Sequence, residues 1–436
     1  MIGHPATINT PTTTPTPTAT TTTTTTTADL LVIGAGPAGL VAARAAAAAG
    51  RRAVVVDPDQ PARTARGAGL LTPAAVGTVT RHGLASALAT GHRVGHVRLS
   101  AHDGSTSTPW PAHPDHPAQG IVVDRQAFDV ALGRLAVDAG AEIRFGHEAV
   151  APIVERGFVR GAHLATADGE RVEARAHYVV VADGANSRFG RALGSFRDPS
   201  FPYALAHHAR FDSAIHDATE VEIVIGLRDR AGTPITGYGW MFPAGDGTVD
   251  IGVLLMSTSP SFQVLNPVHV LDRFVEEHRD RWHLGARPTG TPGGGRIPLG
   301  RSVGPAAGPT WLLVGDAAGA ADPWSGAGLG AAIETGAIAG SVVTDALETG
   351  TATSLQRYPK LLEGRFEPSY GVGRLADQIL GQAAISRGFS DRAARSRTVA
   401  ESSLRLATGA LRPGRVGPAE AVFRMARALG AVVPGL

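Results

Sequence analysis

The chain has 436 residues, 43% of them hydrophobic, and a formal net charge of +2. That is length enough for two or three domains with a real core, and the near balance of charge offers no basic stripe of the kind nucleic-acid recognition needs. Cysteine is absent, which excludes disulfides, thiolate metal ligands and cysteine nucleophiles.

Residues 1–27 are almost all Thr, Pro and Ala. They lack a basic segment followed by an apolar one, so they read as a disordered tail rather than a secretory signal. Leu30 to Ile33 is a continuous apolar run, the pattern of a strand buried on both faces. Gly34 to Gly39 form a turn, Leu40 to Ala49 favour helix with Gly50 as its cap, and Ala53 to Val56 read as a second buried strand ending at Asp57. Residues 105–119, rich in Pro, His and Ser, read as a loop. Val122 to Gly140 reads as a strand end running into a helix with Phe128, Leu132 and Leu135 on one face.

Residues 141–150 and 157–175 suggest short strands. Tyr178 to Val181 is another buried strand, and Asp183-Gly184 follow it. Between 200 and 300, Val221 to Ile225 and Thr248 to Leu255 are strand-like, and one helix is expected near 267–283. This is a mixed sheet able to wall a substrate cavity. Trp311 to Val314 returns to the buried-strand pattern, followed by a turn and a small-residue helix over 328–347. Residues 355–436 read as helical, with breaks at Gly409, Pro413 and Pro418. No run approaches the roughly 18 apolar residues of a membrane-spanning helix, and a cytoplasmic location is expected.

Three stretches at strand ends carry the chemistry. In Gly34-Ala35-Gly36-Pro37-Ala38-Gly39, the first glycine permits the tight turn, the second lets backbone amides approach a pyrophosphate, and the third lets helix and strand pack closely. The helix N-terminus then favours the diphosphate. Asp57, 18 residues beyond Gly39, stands where a carboxylate accepts the adenosine ribose hydroxyls. This motif alone fits NAD or FAD. The second stretch is Val181-Ala182-Asp183-Gly184-Ala185-Asn186-Ser187-Arg188. The third is Gly315-Asp316-Ala317-Ala318-Gly319, continuing through Asp322-Pro323 to Gly326-Ala327-Gly328-Leu329. It opens a second helix N-terminus that can face the ribityl phosphate and the flavin pyrimidine edge, with Asp316 accepting from a ribityl hydroxyl. All three in this order indicate FAD.

These motifs resemble those of the flavoprotein superfamily that includes p-hydroxybenzoate hydroxylase and the geranylgeranyl reductases, over about residues 28–436. On that resemblance Asp183-Gly184 is the "DG" motif, Gly315-Asp316 is the "GD" motif, and Arg125 is the arginine that begins the helix near the flavin. The geranylgeranyl reductase branch fits best: Tyr238-Gly239-Trp240-Met241-Phe242-Pro243 is similar to its YxWxFP motif, an apolar wall over the flavin face. Gly319 stands where the hydroxylases usually carry His. The segment from Arg412-Pro413 to Arg424 resembles the C-terminal region of actinobacterial members. Two departures stand out. The loop Arg66 to Pro73 lacks the Cys those reductases often carry, and Gly326-Ala327-Gly328 replaces their Gly-Glu-Gly.

The resemblance implies an α/β chain: a Rossmann-like FAD-binding domain with a mixed-sheet substrate domain and a C-terminal helical region. The expected division is FAD-binding at 28–195, with a substrate-domain insertion near 80–120; substrate sheet at 196–300; return to the FAD-binding domain at 301–350; and helices over 351–436. The implied activity is transfer of hydride from reduced FAD to a carbon–carbon double bond of an isoprenoid or other apolar substrate. No second GxGxxG follows a strand, so the electrons are expected from an external donor, NAD(P)H or a reduced protein or flavin. Tyr238 is the candidate proton donor, and Tyr238, Trp240 and Phe242 are the candidate substrate pocket.

A monooxygenase of natural-product biosynthesis is the alternative. A flavin halogenase is disfavoured because its chemistry needs a lysine, and the only one, Lys360, lies in the C-terminal region. Met425, Leu429 and Val432, with Arg424 and Arg427 elsewhere on the turn, outline a basic amphipathic helix that could make peripheral membrane contact, although packing on the body or capping the substrate cavity is the plainer reading. The pairs His207-His208 and His113/His116 lack metal-ligand spacing with acidic partners and read as solvated, so no metal is expected.

Overall fold

The computed structural model describes residues 25–59, 68–102, 104–229, 232–380, 383–412 and 417–432. Two sheets set side by side organise them. The first is a seven-stranded sheet whose parallel core runs Glu142–Phe145, Ala53–Asp57, Thr25–Ile33, Arg171–Val181 and Trp311–Leu313. Leu30, Leu31, Val32 and Ile33 are all buried, as are Val54 to Val56 and Val179 to Val181. That two-sided burial is what the continuous apolar runs dictate. The strands Phe158–Thr166 and His147–Glu155 extend the sheet antiparallel. On one face lie helices Pro37–Ala48, Arg125–Asp138 and Leu329–Thr349, sharing a core with Leu30, Val32, Val55 and Val180.

The first strand begins at Thr25, earlier than Ala28: three threonines assigned to the tail pair with Glu173, Ala174 and Arg175. β-branched Thr suits an extended edge of a sheet, which composition alone hides. The helix after the glycine turn starts at Pro37 and is capped by Ala49, with Gly50 one step beyond at φ +75°.

The second sheet has eight strands. Its order is Leu284–Pro288, Tyr203–Ser213, Thr248–Met256, Gly237–Pro243, Glu220–Ile225, His96–Ala101 and Gly104–Pro109, with Gly293–Pro298 also on Tyr203–Ser213. The segment 104–109, expected to be part of a loop, is therefore an edge strand. Its Ser and Thr residues alternate between exposed and half-buried or buried positions, pairing antiparallel with His96–Ala101. One face of this sheet, with Met241, Ile251, Val253 and Leu255, is covered by helix Pro267–His278 through Leu271, Phe274 and Val275. That helix stops at His278, short of the expected 283. The other face turns toward the first sheet.

Helices Tyr358–Leu380, Ala383–Arg395, Arg397–Ala407 and Pro418–Val432 close the chain. Pro368 lies inside the first of them without ending it. Among the described residues, no helix is long and apolar enough to cross a membrane. Helix Pro418–Val432 packs against Tyr358–Leu380 and Arg397–Ala407 and leaves Val422 and Met425 exposed. The side chains of Arg427, Leu429 and Val432 lie outside the described residues, as do Arg66, Gly67 and Pro413.

Candidate active site

The three sequence motifs meet at the C-terminal ends of adjacent parallel strands, where doubly wound folds place their ligands. Gly34 has φ +106°, and a Cβ there would lie 2.3 Å from the carbonyl oxygen of Ala182, the residue before Asp183. A Cβ on Gly39 would lie 2.1 Å from the Gly34 oxygen, and one on Gly315 would lie 3.0 Å from the Cβ of Ala38. The first motif therefore touches both the others. Asp57 is buried at the end of its strand, and its Oδ2 accepts from the Ala35 N–H at 2.6 Å. The carboxylate expected at the ribose thus also braces the glycine turn.

Two helices open onto this spot. Helix Pro37–Ala48 has Gly36 as N-cap and Pro37 at its start, and helix Leu329–Thr349 has Gly328 as N-cap; neither has a side-chain cap. Uncapped N–H groups with a positive dipole end suit phosphate and an electron-rich ring edge. Asp183 accepts from the Phe189 N–H through Oδ2 at 3.0 Å, while its buried Oδ1 has no partner among the described residues. Burial pushes the Asp183 and Asp316 carboxyls above their usual range, and Arg125 pulls Asp316 back, so that guanidinium stands within electrostatic reach of the third motif. Arg125 also pairs with Asp129 at 3.3 Å. Gly315 N–H is fixed to the Thr335 hydroxyl at 3.0 Å. Pro323 packs on the helix Tyr358–Leu380 side, where a Cβ on Gly373 would lie 2.8 Å from its ring. Leu329 packs against the core of the first sheet. Two uncapped helix N-termini, an orphaned buried carboxylate oxygen and close-approach glycines are the donor and acceptor set that FAD requires at its phosphates, ribityl chain and ring.

Facing the third motif is the other face of the second sheet. Tyr238, Trp240 and Phe242 alternate along one strand and stand together, with ring centroids 6.1 Å and 5.8 Å apart. Leu254 of the neighbouring strand reaches the loop of the third motif: a Cβ on Gly326 would lie 2.4 Å from its Cδ1. Tyr238 donates its hydroxyl to the Ser325 carbonyl at 2.5 Å. Burial, with the Asp322 carboxylate adding to it, pushes that hydroxyl well above the usual tyrosine range. It is a brace between sheet and loop, and a poor acid.

The histidines divide. His113 and His116 stack at 4.0 Å in their loop, and burial, with His113 beside it, lowers His116 to about 4. His208 is not solvated as expected. It is buried beside Trp240, its Nδ1 is 2.8 Å from Asp250 Oδ2, and Trp240 Nε1–H donates to Asp250 Oδ1 at 2.7 Å. The sequence signal missed was Asp250 itself, a carboxylate inside the apolar strand Thr248–Met256. No cluster of metal-ligating side chains occurs among the described residues. Lys360 is exposed on helix Tyr358–Leu380.

Comparison with known proteins agrees with this geometry. Residues 27–233 match the FAD binding domain family model. The chain is 35% identical to the menaquinone reductase of Mycolicibacterium smegmatis over 80% of its length and 83% of the relative's. It is 31% identical to the digeranylgeranylglycerophospholipid reductase of Methanosarcina acetivorans over 79% and 81%. A geranylgeranyl bacteriochlorophyll reductase-like structure from Thermoplasma acidophilum superposes with a TM-score of 0.75 at 24% identity, covering 93% of this chain and 96% of that one. Fold and site define an FAD-dependent oxidoreductase. The chain belongs to the geranylgeranyl reductase family of these flavoproteins.

Proposed function

We propose that this oxidoreductase saturates a carbon–carbon double bond in the polyprenyl chain of a lipid. The observation that carries the reading is the apolar aromatic face of Tyr238, Trp240, Phe242 and Leu254 set directly against the loop of Gly326. Such a face offers a chain of methyl-branched alkene units contact area and dispersion without polar demands. The relatives support it: a menaquinone and a digeranylgeranylglycerophospholipid differ in their head groups and have polyprenyl chains in common.

FAD, once reduced by an external donor such as NAD(P)H or a reduced protein or flavin, supplies two electrons and one hydrogen. We assign Gly34 to Gly39 and Asp57 to its adenosine diphosphate half, and Arg125, Asp183-Gly184, Gly315-Asp316 and the turn Pro323 to Leu329 to its ribityl and ring half. Tyr238 ties the substrate sheet to the flavin loop, and Trp240 and Phe242 line the substrate's path and exclude water. The exposed Val422 and Met425 suit contact with the lipid phase from which such a substrate comes.

Anaerobic incubation of the dithionite-reduced, FAD-loaded protein with geranylgeraniol or menaquinone tests the reading. A product heavier by two hydrogens on the prenyl chain is expected. A product that gains an oxygen under air, with none saturated anaerobically, turns the reading to a monooxygenase.

A further inference from the structure

His208, Gly252 and Trp240 are consecutive partners across three antiparallel strands. Register therefore places the two side chains on the same face, the one that carries Tyr238 and Phe242. Gly252 leaves the space between them: a Cβ there would lie 2.2 Å from the Trp240 ring and 2.7 Å from the His208 Cβ. Asp250, one step along the same face, closes the group by accepting from both rings. An ionised carboxylate only accepts, so Nδ1 of His208 carries the hydrogen of that bond. Its Nε2 is then the ring's remaining polar atom, and it is buried without a partner among the described residues. Such an atom demands an explanation.

The surroundings point to one. Arg210, on the same strand and face as His208, pairs with Asp124 at 2.6 Å, and Asp124 is the N-cap of helix Arg125–Asp138. That pairing draws the His208 strand onto the start of the helix whose first residue, Arg125, lies within electrostatic reach of Asp316 in the third motif. His208 thus stands on the aromatic face beside Trp240, on a strand tied through Arg210 to the start of the Arg125 helix. Tyr238, the other candidate acid of this face, has committed its hydroxyl to the Ser325 carbonyl.

We propose that His208 is the acid of this site, holding at Nε2 the proton that completes reduction of the substrate, with Asp250 and Trp240 as positioning residues. The proposal rests on the polyprenyl-reductase reading. FAD held by the three motifs and reduced would supply the hydride that one alkene carbon receives. At the other carbon the Nε2–H bond breaks and a C–H bond forms with the electron pair of the alkene. The ring is left neutral, still bonded to Asp250 through Nδ1–H, and recovers its proton from water.

The charges around the ring suit the task. Burial works against the imidazolium, but the charge and hydrogen bond of Asp250 outweigh it and hold His208 above the ordinary histidine value; Arg125 and Arg210 pull the other way. His207 projects from the opposite face.

The test uses the FAD-loaded full chain with ring-labelled histidine, the His208 signal being assigned by its loss in His208→Asn. The Asn amide can keep the bond to Asp250 while removing Nε2. The His208 ring is expected to titrate above 6.5, and to fall in Asp250→Asn. His208→Asn is expected to retain FAD and its reduction by dithionite, to lose alkene turnover by about 10²-fold or more, and to lose the decline of turnover with rising pH seen in the wild type. A ring that titrates below the ordinary value, that is indifferent to Asp250→Asn, or whose removal leaves rate and pH profile intact overturns the proposal. A wild-type enzyme that saturates no prenyl alkene overturns the functional reading instead, and the titration then decides alone whether His208 holds a proton.

Discussion

The two sheets make their sites from different materials. The first uses backbone. Its glycine turn, its two glycine-capped helices and its strand ends act through N–H groups and through the absence of Cβ atoms. The second uses side chains brought together from separate strands: His208 and Asp250 are 42 residues apart and Trp240 and Asp250 are 10 apart. A backbone site is broken by adding atoms and a side-chain site by removing them, and the expected effects of substitution separate along that line.

The largest effect is expected from Gly39→Val. Its Cβ would sit 2.1 Å from the Gly34 oxygen, so strand and helix must part and the pyrophosphate turn must open. The product is expected to be colourless, unable to retain added FAD, and destabilised by roughly 3 kcal/mol or more. A yellow protein with wild-type flavin content would break the assignment of this turn to the cofactor.

Next is Asp250→Ala, which deletes atoms from the second sheet. It leaves the Trp240 indole N–H and the His208 Nδ1–H buried without their acceptor, a loss of about 3–5 kcal/mol for a broken buried pair. FAD content is expected to survive, because no cofactor motif is touched. Urea denaturation and the flavin absorbance together separate this from Gly39→Val. Loss of FAD with unchanged stability would reverse the comparison.

Glu334 sharpens the contrast because it is a nearly buried carboxylate with no place in the chemistry. It stands on helix Leu329–Thr349 and meets Arg365 at 2.9 Å, His82 at 3.3 Å and Arg81 at 3.4 Å, tying three helices together. Burial works against its charge, but His82 and Arg365 overrule that and hold it at about 2, against an ordinary 4.5. A depressed carboxylate contributes stability above its unfolded value and loses it as pH falls from about 4.5 toward about 2. After allowance for solvent screening that is about 2 kcal/mol at neutral pH. Glu334→Gln is expected to cost that much at pH 7 and little near pH 2, in urea denaturation, with turnover unchanged. An equal loss at both pH values would assign the clamp to packing rather than charge.

The same contrast governs what the sequence shows. A backbone site is contiguous: Gly34 to Gly39, Asp183-Gly184 and Gly315-Asp316 each lie within a few residues, and the apolar runs before them announce the strands. The second sheet was legible as an aromatic strand and candidate pocket through Tyr238, Trp240 and Phe242, but its His208–Asp250 pair was not. His208 shows no local sign of burial, since its partner arrives by pairing with a strand far along the chain. Asp250 is the better clue, because a carboxylate inside Val249 to Leu255 must be paired to be tolerated. The strand at 104–109 was hidden for a related reason: it is a sheet edge, where polar residues and turn residues read alike.

Tyr238→Phe is expected to have the smallest effect and to discriminate most finely. The substitution keeps the ring in its aromatic row and removes only the hydroxyl that donates to the Ser325 carbonyl, a loss of about 1 kcal/mol. If the hydroxyl is a brace, the loop of Gly326 loosens slightly: turnover falls less than about tenfold, FAD binds somewhat more weakly, and the pH profile stays that of the wild type. If the hydroxyl is the acid, turnover collapses while the pH dependence assigned to His208 persists in the residual rate. The two outcomes exchange the roles of the two side chains. The brace is the outcome the geometry favours, because a hydroxyl already donating to a carbonyl, with its acidity suppressed by burial and Asp322, must break that bond before it can give its proton away.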